Sequence, residues 1–153
     1  MTYEQWDFIA DTYIPILALM NILLMAFSAK LRTWGNLRQW IQTLFISILL
    51  VYLCMWLDQV LEIWPKFNSD FSTHTALAFA LVWPWQRHSK PLSLFGYASL
   101  FLYFVLMNFQ HYHTWLDMIS TLVFMAMVFQ TSTWAMGRIA TLKNLKIKKP
   151  DTQ

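Results

Sequence analysis

Apolar residues fall in five runs along the chain, 13–29, 40–57, 71–85, 92–109 and 115–135, with short polar connections between them. A helix needs roughly 20 mainly apolar residues to cross about 30 Å of hydrocarbon. Four runs come close to that length. The third is shorter and opens on Ser72, Thr73, His74 and Thr75, and the fifth is interrupted near its start by Asp117. Within lipid only helices or closed barrels satisfy the backbone polar groups. A barrel strand would alternate apolar and polar residues over about ten positions, and a stretch such as Ile46-Ser47-Ile48-Leu49-Leu50-Val51 does not alternate. The pattern predicts an all-α, polytopic transmembrane helix bundle of five spans.

Composition agrees on the solvent. Of 153 residues, 58% are hydrophobic and 12% charged, against about 25% charged in an ordinary soluble domain, too few to clothe a water-soluble globule. Lysine and arginine in short loops set orientation. Lys30, Arg32 and Arg38 lie between the first two spans, Arg87 and Lys90 between the third and fourth, and Arg138, Lys143, Lys146, Lys148 and Lys149 after the fifth. The opposite set holds Glu4, Asp7, Asp11, Glu62, Asp70 and a single lysine, Lys66. The N-terminus is therefore expected outside and the C-terminus in the cytoplasm. The first eleven residues are acidic and lack the basic n-region of a cleavable signal, so the first span is expected to be retained. Without repeats or Gly/Pro-rich linkers, residues 1–153 are expected to form a single integral membrane domain. The lone Cys54, mid-span, excludes an internal disulfide and reads as a packing residue. Compact size and the lack of a targeting peptide suit a bacterial inner membrane.

Two histidine motifs stand where apolar runs begin, and the charge pattern places both at the outer face. In His113-Thr114-Trp115-Leu116-Asp117 the histidine and aspartate are four residues apart, which on a helix stacks them on one side. A carboxylate so placed accepts the Nδ1 proton and leaves Nε2 free as nucleophile or base. Many such pairs merely satisfy one another, but an ionisable residue inside a span costs about 3 kcal/mol on insertion scales and commonly marks a site. In Phe71-Ser72-Thr73-His74-Thr75 the histidine lies at a helix opening, where backbone amides and the positive end of the macrodipole favour an anion. Ser72 or Thr73 can cap that helix at the same time.

The two motifs together resemble the second and third signatures of the type 2 phosphatidic acid phosphatase superfamily, which includes membrane lipid phosphatases and phosphotransferases. The family's second motif reads Pro-Ser-Gly-His, often followed by Thr, matched here at Ser72, His74 and Thr75. Its third reads Ser-Arg, five residues, His, three residues, Asp, and His113 and Asp117 match its ending. The resemblance covers residues 58–129. The chain departs from the pattern with Thr73 in place of the family glycine and Met107 where an arginine is expected. The first, lysine-and-arginine signature is absent, with Lys66 beside Pro65 in its region.

The resemblance implies phosphoryl transfer that needs neither metal nor cofactor and proceeds through a phosphohistidine. His113 would attack phosphorus, Asp117 would hold the imidazolium, and His74 would protonate the leaving alkoxide. Lys66, Ser72, Thr73 and His111 would bind the phosphate. The implied substrate is a lipid phosphate or diphosphate, with hydrolysis or transfer to an acceptor as outcomes; no nucleic-acid partner is implied. Trp64, Tyr112 and Trp115 flank the region as interfacial anchors or as a lipid-binding wall.

Two rival readings stand beside this one. His74, His111, His113 and Asp117, with Asp58 and Glu62 one turn apart, supply nitrogen and oxygen ligands for a divalent ion, although no tight ligand motif accompanies them. A non-catalytic protein that binds lipid phosphate is the other, favoured by the missing arginines.

Overall fold

The computed structural model describes residues 3–30 and 34–147. The described residues form five α-helices: α1 (Tyr3–Lys30), α2 (Trp34–Leu61), α3 (Thr73–Val82), α4 (Lys90–Phe109) and α5 (Trp115–Ile147). Single 3₁₀ turns at Pro65–Phe67 and Trp83–Arg87 precede and follow α3. Of the basic residues that suggested orientation, Arg32, Lys148 and Lys149 lie outside the described residues, as do the side chains of Lys30, Lys143 and Lys146 and of the acidic Glu4 and Asp7.

Among the described residues, four helices are long and apolar enough to cross a membrane, over Phe8–Ser28, Leu37–Leu61, Lys90–Phe109 and Trp115–Arg138. Their outward faces carry large apolar side chains, among them Phe8, Ile22, Phe27, Phe45, Leu49, Phe101, Leu102 and Val123. Small polar ones, including Ser28, Thr43, Ser47 and Thr121, are turned inward. This inversion of the soluble pattern suits a hydrocarbon solvent, where apolar surface is not penalised and polar groups seek one another.

The expected third span, 71–85, divides in two. α3 contains ten residues, or about 15 Å, and then tightens into the 3₁₀ turn Trp83–Arg87. Pro84 is the cause, because it has no N–H to continue the ladder. α3 packs against all four long helices and is buried almost all round, with Ala76, Ala78 and Ala80 fully enclosed. These small side chains let neighbouring backbones approach closely. Phe79 anchors one side of α3, stacked on Phe129 at 5.5 Å between ring centroids.

At the far end of α3 a buried Asn21 ties four segments together. Its Nδ2 donates to the carbonyl oxygens of Leu17 (2.9 Å) and Leu81 (3.0 Å). Its Oδ1 accepts from the indole nitrogens of Trp40 and Trp85, each at 3.1 Å. Leu81 lies three residues before Pro84, so its carbonyl needs a partner from elsewhere. Gly96 of α4 crosses at this level. A Cβ there would meet Trp85 and Val82 at 2.7 Å, so only glycine lets α4 approach.

Candidate active site

The opposite end is built from two connections, 62–72 between α2 and α3 and 110–114 between α4 and α5. α2 stops at Leu61 because Glu62 turns left-handed (φ 50°) and donates its amide to the Asp58 carbonyl. The Asp58 carboxylate accepts the amide of Trp64 at 2.9 Å. Trp64, expected as an interfacial anchor, is instead buried. Its indole donates to Ser120 Oγ at 3.0 Å, and its ring sits edge-on between Phe71 and Phe124.

α4 ends in a Schellman motif. His111 adopts φ 59°, its amide donates to Asn108 O, and the Tyr112 amide donates to Met107 O. These are the two bonds that define the motif, with histidine where glycine is usual. The exposed His111 is therefore explained by chain reversal, and the structure does not place its ring against the other histidines.

These connections bring His74 and His113 together. The residues are 39 positions apart in sequence, yet their ring centroids are 6.2 Å apart with planes inclined by 52°. His74 is exposed at the second position of α3, and His113 is half-buried. Burial lowers the pKa of His113 below the ordinary histidine value, and the neighbouring His74 lowers it further, while Asp117 and Asp70 pull the other way. The net effect favours the neutral ring.

Asp117 does not hold that ring. One carboxylate oxygen accepts Ser69 Oγ (2.7 Å) and the Asp70 amide (2.9 Å), and the other accepts the Thr114 amide (2.9 Å) and hydroxyl (2.7 Å). The Asp117 amide completes the exchange with Thr114 Oγ1 at 3.2 Å. This is a capping box with aspartate at its third position. The expected stacking of His113 over Asp117 presumes that both are helical, but α5 starts at Trp115 and His113 precedes the cap. The signal was present in Thr114-Trp115-Leu116-Asp117, a hydroxyl residue three positions before a carboxylate at the head of an apolar run. By also seizing Ser69 and Asp70, Asp117 ties the two connections together and sets the distance between the histidines.

The expected phosphate ligands are placed differently from one another. Lys66 donates Nζ to the Leu61 carbonyl at 2.9 Å, closing the end of α2 rather than the histidine pair. Ser72 is fully buried, its amide on Thr121 Oγ1 (3.0 Å) and its hydroxyl on the Thr75 amide and side chain. Thr73 lies beside His74 in the first turn of α3, and the amides of both have no acceptor among the described residues, as expected for a helix N-terminus. Sequence reasoning missed Ser69 and Thr121, which anchor the loop, and Gln110. The Gln110 carboxamide is buried in the connection with neither its nitrogen nor its oxygen partnered among the described residues. An isolated Gln or Ser carries no pattern that could reveal such a role.

For the metal reading, no group of three or more His, Cys, Asp or Glu side chains is gathered to hold an ion among the described residues. The Asp58 carboxylate is engaged by the Trp64 amide, and Glu62 contributes its backbone to the end of α2.

The fold and its apolar exterior define a helical protein suited to a membrane. No family model, characterised protein or solved structure matches the chain.

Proposed function

We propose that the chain is a lipid phosphatase, divergent from the type 2 phosphatidic acid phosphatase superfamily, that releases phosphate from a lipid phosphate or diphosphate through a phosphohistidine. The observation that carries this reading is the 6.2 Å approach of His74 and His113 at one end of an apolar bundle. A nucleophile works about 3–3.5 Å from the atom it attacks, and a proton donor about 3 Å from the leaving oxygen. Ring centroids 6.2 Å apart leave room for one tetrahedral group between the two imidazoles at distances of that order.

In the first step a neutral His113 nitrogen bonds to phosphorus, the phosphorus–oxygen ester bond breaks, and His74, as imidazolium, gives its proton to the departing alkoxide. In the second, neutral His74 takes a proton from water, whose oxygen bonds to phosphorus as the phosphorus–nitrogen bond breaks. Inorganic phosphate leaves and both rings regain their starting states. An acceptor alcohol in place of water would make the enzyme a phosphotransferase.

The lowered pKa of His113 supports its role as nucleophile, because it keeps the attacking ring neutral. The amides of Thr73 and His74 and the dipole of α3 supply donors for the phosphoryl oxygens. Asp117 is a positioning residue, holding Thr114 and the Ser69–Asp70 segment so that the histidines face each other. The sequence positions of the basic residues, in the 30–38 and 87–90 connections and after the last apolar run, support a reading in which the histidines work at the outer, periplasmic face of a bacterial inner membrane.

The engagement of Lys66 with Leu61 favours a second reading, a protein that binds lipid phosphate without turning it over. Incubation with a lipid carrying radioactive phosphate separates the two. Acid-labile, base-stable labelling that disappears in His113→Ala supports the enzyme; binding without label or release supports the second reading.

A further inference from the structure

Between α4 and α5 runs an apolar groove of about 510 Å³, floored by Phe79 of α3 and walled by Leu100, Phe101 and Phe104 on one side and Ile119, Leu122 and Val123 on the other. Trp115 closes its upper end, within 6.4 Å of the Phe101 ring, and Tyr97 and Ala126 mark the lower end. From Trp115 to Ala126 the groove follows three turns of α5, about 16 Å. It therefore starts two residues after His113 and descends into the hydrocarbon zone.

We infer that this groove holds the hydrocarbon chain of the phosphorylated lipid whose headgroup reacts at His113, an inference that rests on the phosphatase reading. Three features fix the occupant. The lining is almost wholly apolar and Phe101 and Val123 on its rim face outward, so in a membrane the groove meets hydrocarbon rather than water. Its volume lies in the range of small-molecule sites, about 300–1,000 Å³. The direction also matches. A lipid seated with phosphate between His74 and His113 and its chain along α5 keeps the head-to-tail orientation it has in that leaflet.

Photolabelling tests this with the full chain in phosphatidylcholine nanodiscs. The probe is an alkyl phosphate carrying a diazirine at the chain end, compared with the neutral alcohol of the same chain. The phosphate probe is expected to label the segments 97–104 and 115–126, and excess unlabelled alkyl phosphate to displace it. The alcohol should label them about tenfold less, a difference equivalent to fewer than two buried methylenes. Val123→Trp, which fills the groove, should lower the labelling by about the same factor. Equal labelling by phosphate and alcohol would overturn the inference, since the groove would then hold bulk hydrocarbon. So would label confined to other helices. This comparison needs only the wild-type chain, so it decides the matter even if Val123→Trp disturbs the fold. Phosphate release measured in parallel separates the two claims: release without groove labelling keeps the phosphatase and removes the groove, whereas groove labelling without release keeps the lipid site and removes hydrolysis.

Discussion

The two ends of the bundle solve opposite problems with similar materials. Around Asn21 a single buried amide uses its whole hydrogen-bonding capacity, two donors and two acceptor positions, on Leu17, Leu81, Trp40 and Trp85. At the histidine end the same kind of group, the buried carboxamide of Gln110, has no partner among the described residues. That end also holds Glu62, Asn68 and His111, the non-glycine residues with left-handed backbone among those described. Such conformations cost about 1–2 kcal/mol at residues such as Glu62 and His111, and less at Asn68, and persist where surrounding structure enforces them, commonly at working sites. The contrast shows where the molecule is locked and where it has accepted strain to present side chains.

Substitutions at each end should separate chemistry from stability. The largest effect is expected from His113→Ala, a fall in phosphate release of about a thousandfold or more, with the unfolding midpoint in detergent almost unchanged. A loss of both together would show that the histidine end is structural after all. Asn21→Ala should do the reverse, lowering stability by about 2–4 kcal/mol, since four bonds are lost and two buried indole N–H groups are left unpaired. Activity per folded molecule should stay close to wild type; denaturation and turnover assays on one preparation give both numbers.

Asp117→Asn lies between these extremes. Its amide nitrogen cannot accept bonds from Thr114 or Ser69, so one side of the clasp opens and release should fall about tenfold to a hundredfold through misplacement of His113. Restored activity in Asp117→Glu would argue against a clasp set by side-chain length.

The response to pH sharpens the picture of His113. Its folded pKa lies below its unfolded value of about 6.5. The associated stability is therefore present above about 6.5 and lost as pH falls through the folded pKa. Release should likewise fade on acidification with a midpoint below about 6.5. Because His74 contributes to the depression, His74→Gln should move the His113 titration upward, as read by NMR of the labelled ring. A downward movement would contradict the observed pairing.

The smallest expected change is a gain. His111→Gly relieves a left-handed residue and should raise stability by about 0.5–1 kcal/mol, after the entropic penalty of glycine.

Hydropathy located all five helices but not their ends. α1, α2 and α5 extend beyond 13–29, 40–57 and 115–135, because a helix continues into the interface where apolar character has already ceased. The third run was legible as a helix opening on His74; its change to a 3₁₀ turn followed from Pro84, a local signal outweighed by the surrounding apolar residues. The convergence of His74 and His113 at one end was readable from the alternation of spans and charges. The partner of Asp117 was not, since four-residue spacing states which groups are neighbours only when both lie on the helix, and His113 falls before the cap. Lys66 illustrates a further blindness: sequence places a cation near a site but does not say which carbonyl captures it.

The shortness of α3 has a consequence for biogenesis. Ten residues, about 15 Å, are too few to partition stably across a bilayer before the rest of the chain arrives. The Ser72 amide and the Ser69 hydroxyl find their partners, Thr121 and Asp117, only on α5. A nascent chain halted after α4 therefore lacks the clasp that fixes the entrance of α3, and maturation of the histidine pair coincides with insertion of the last helix.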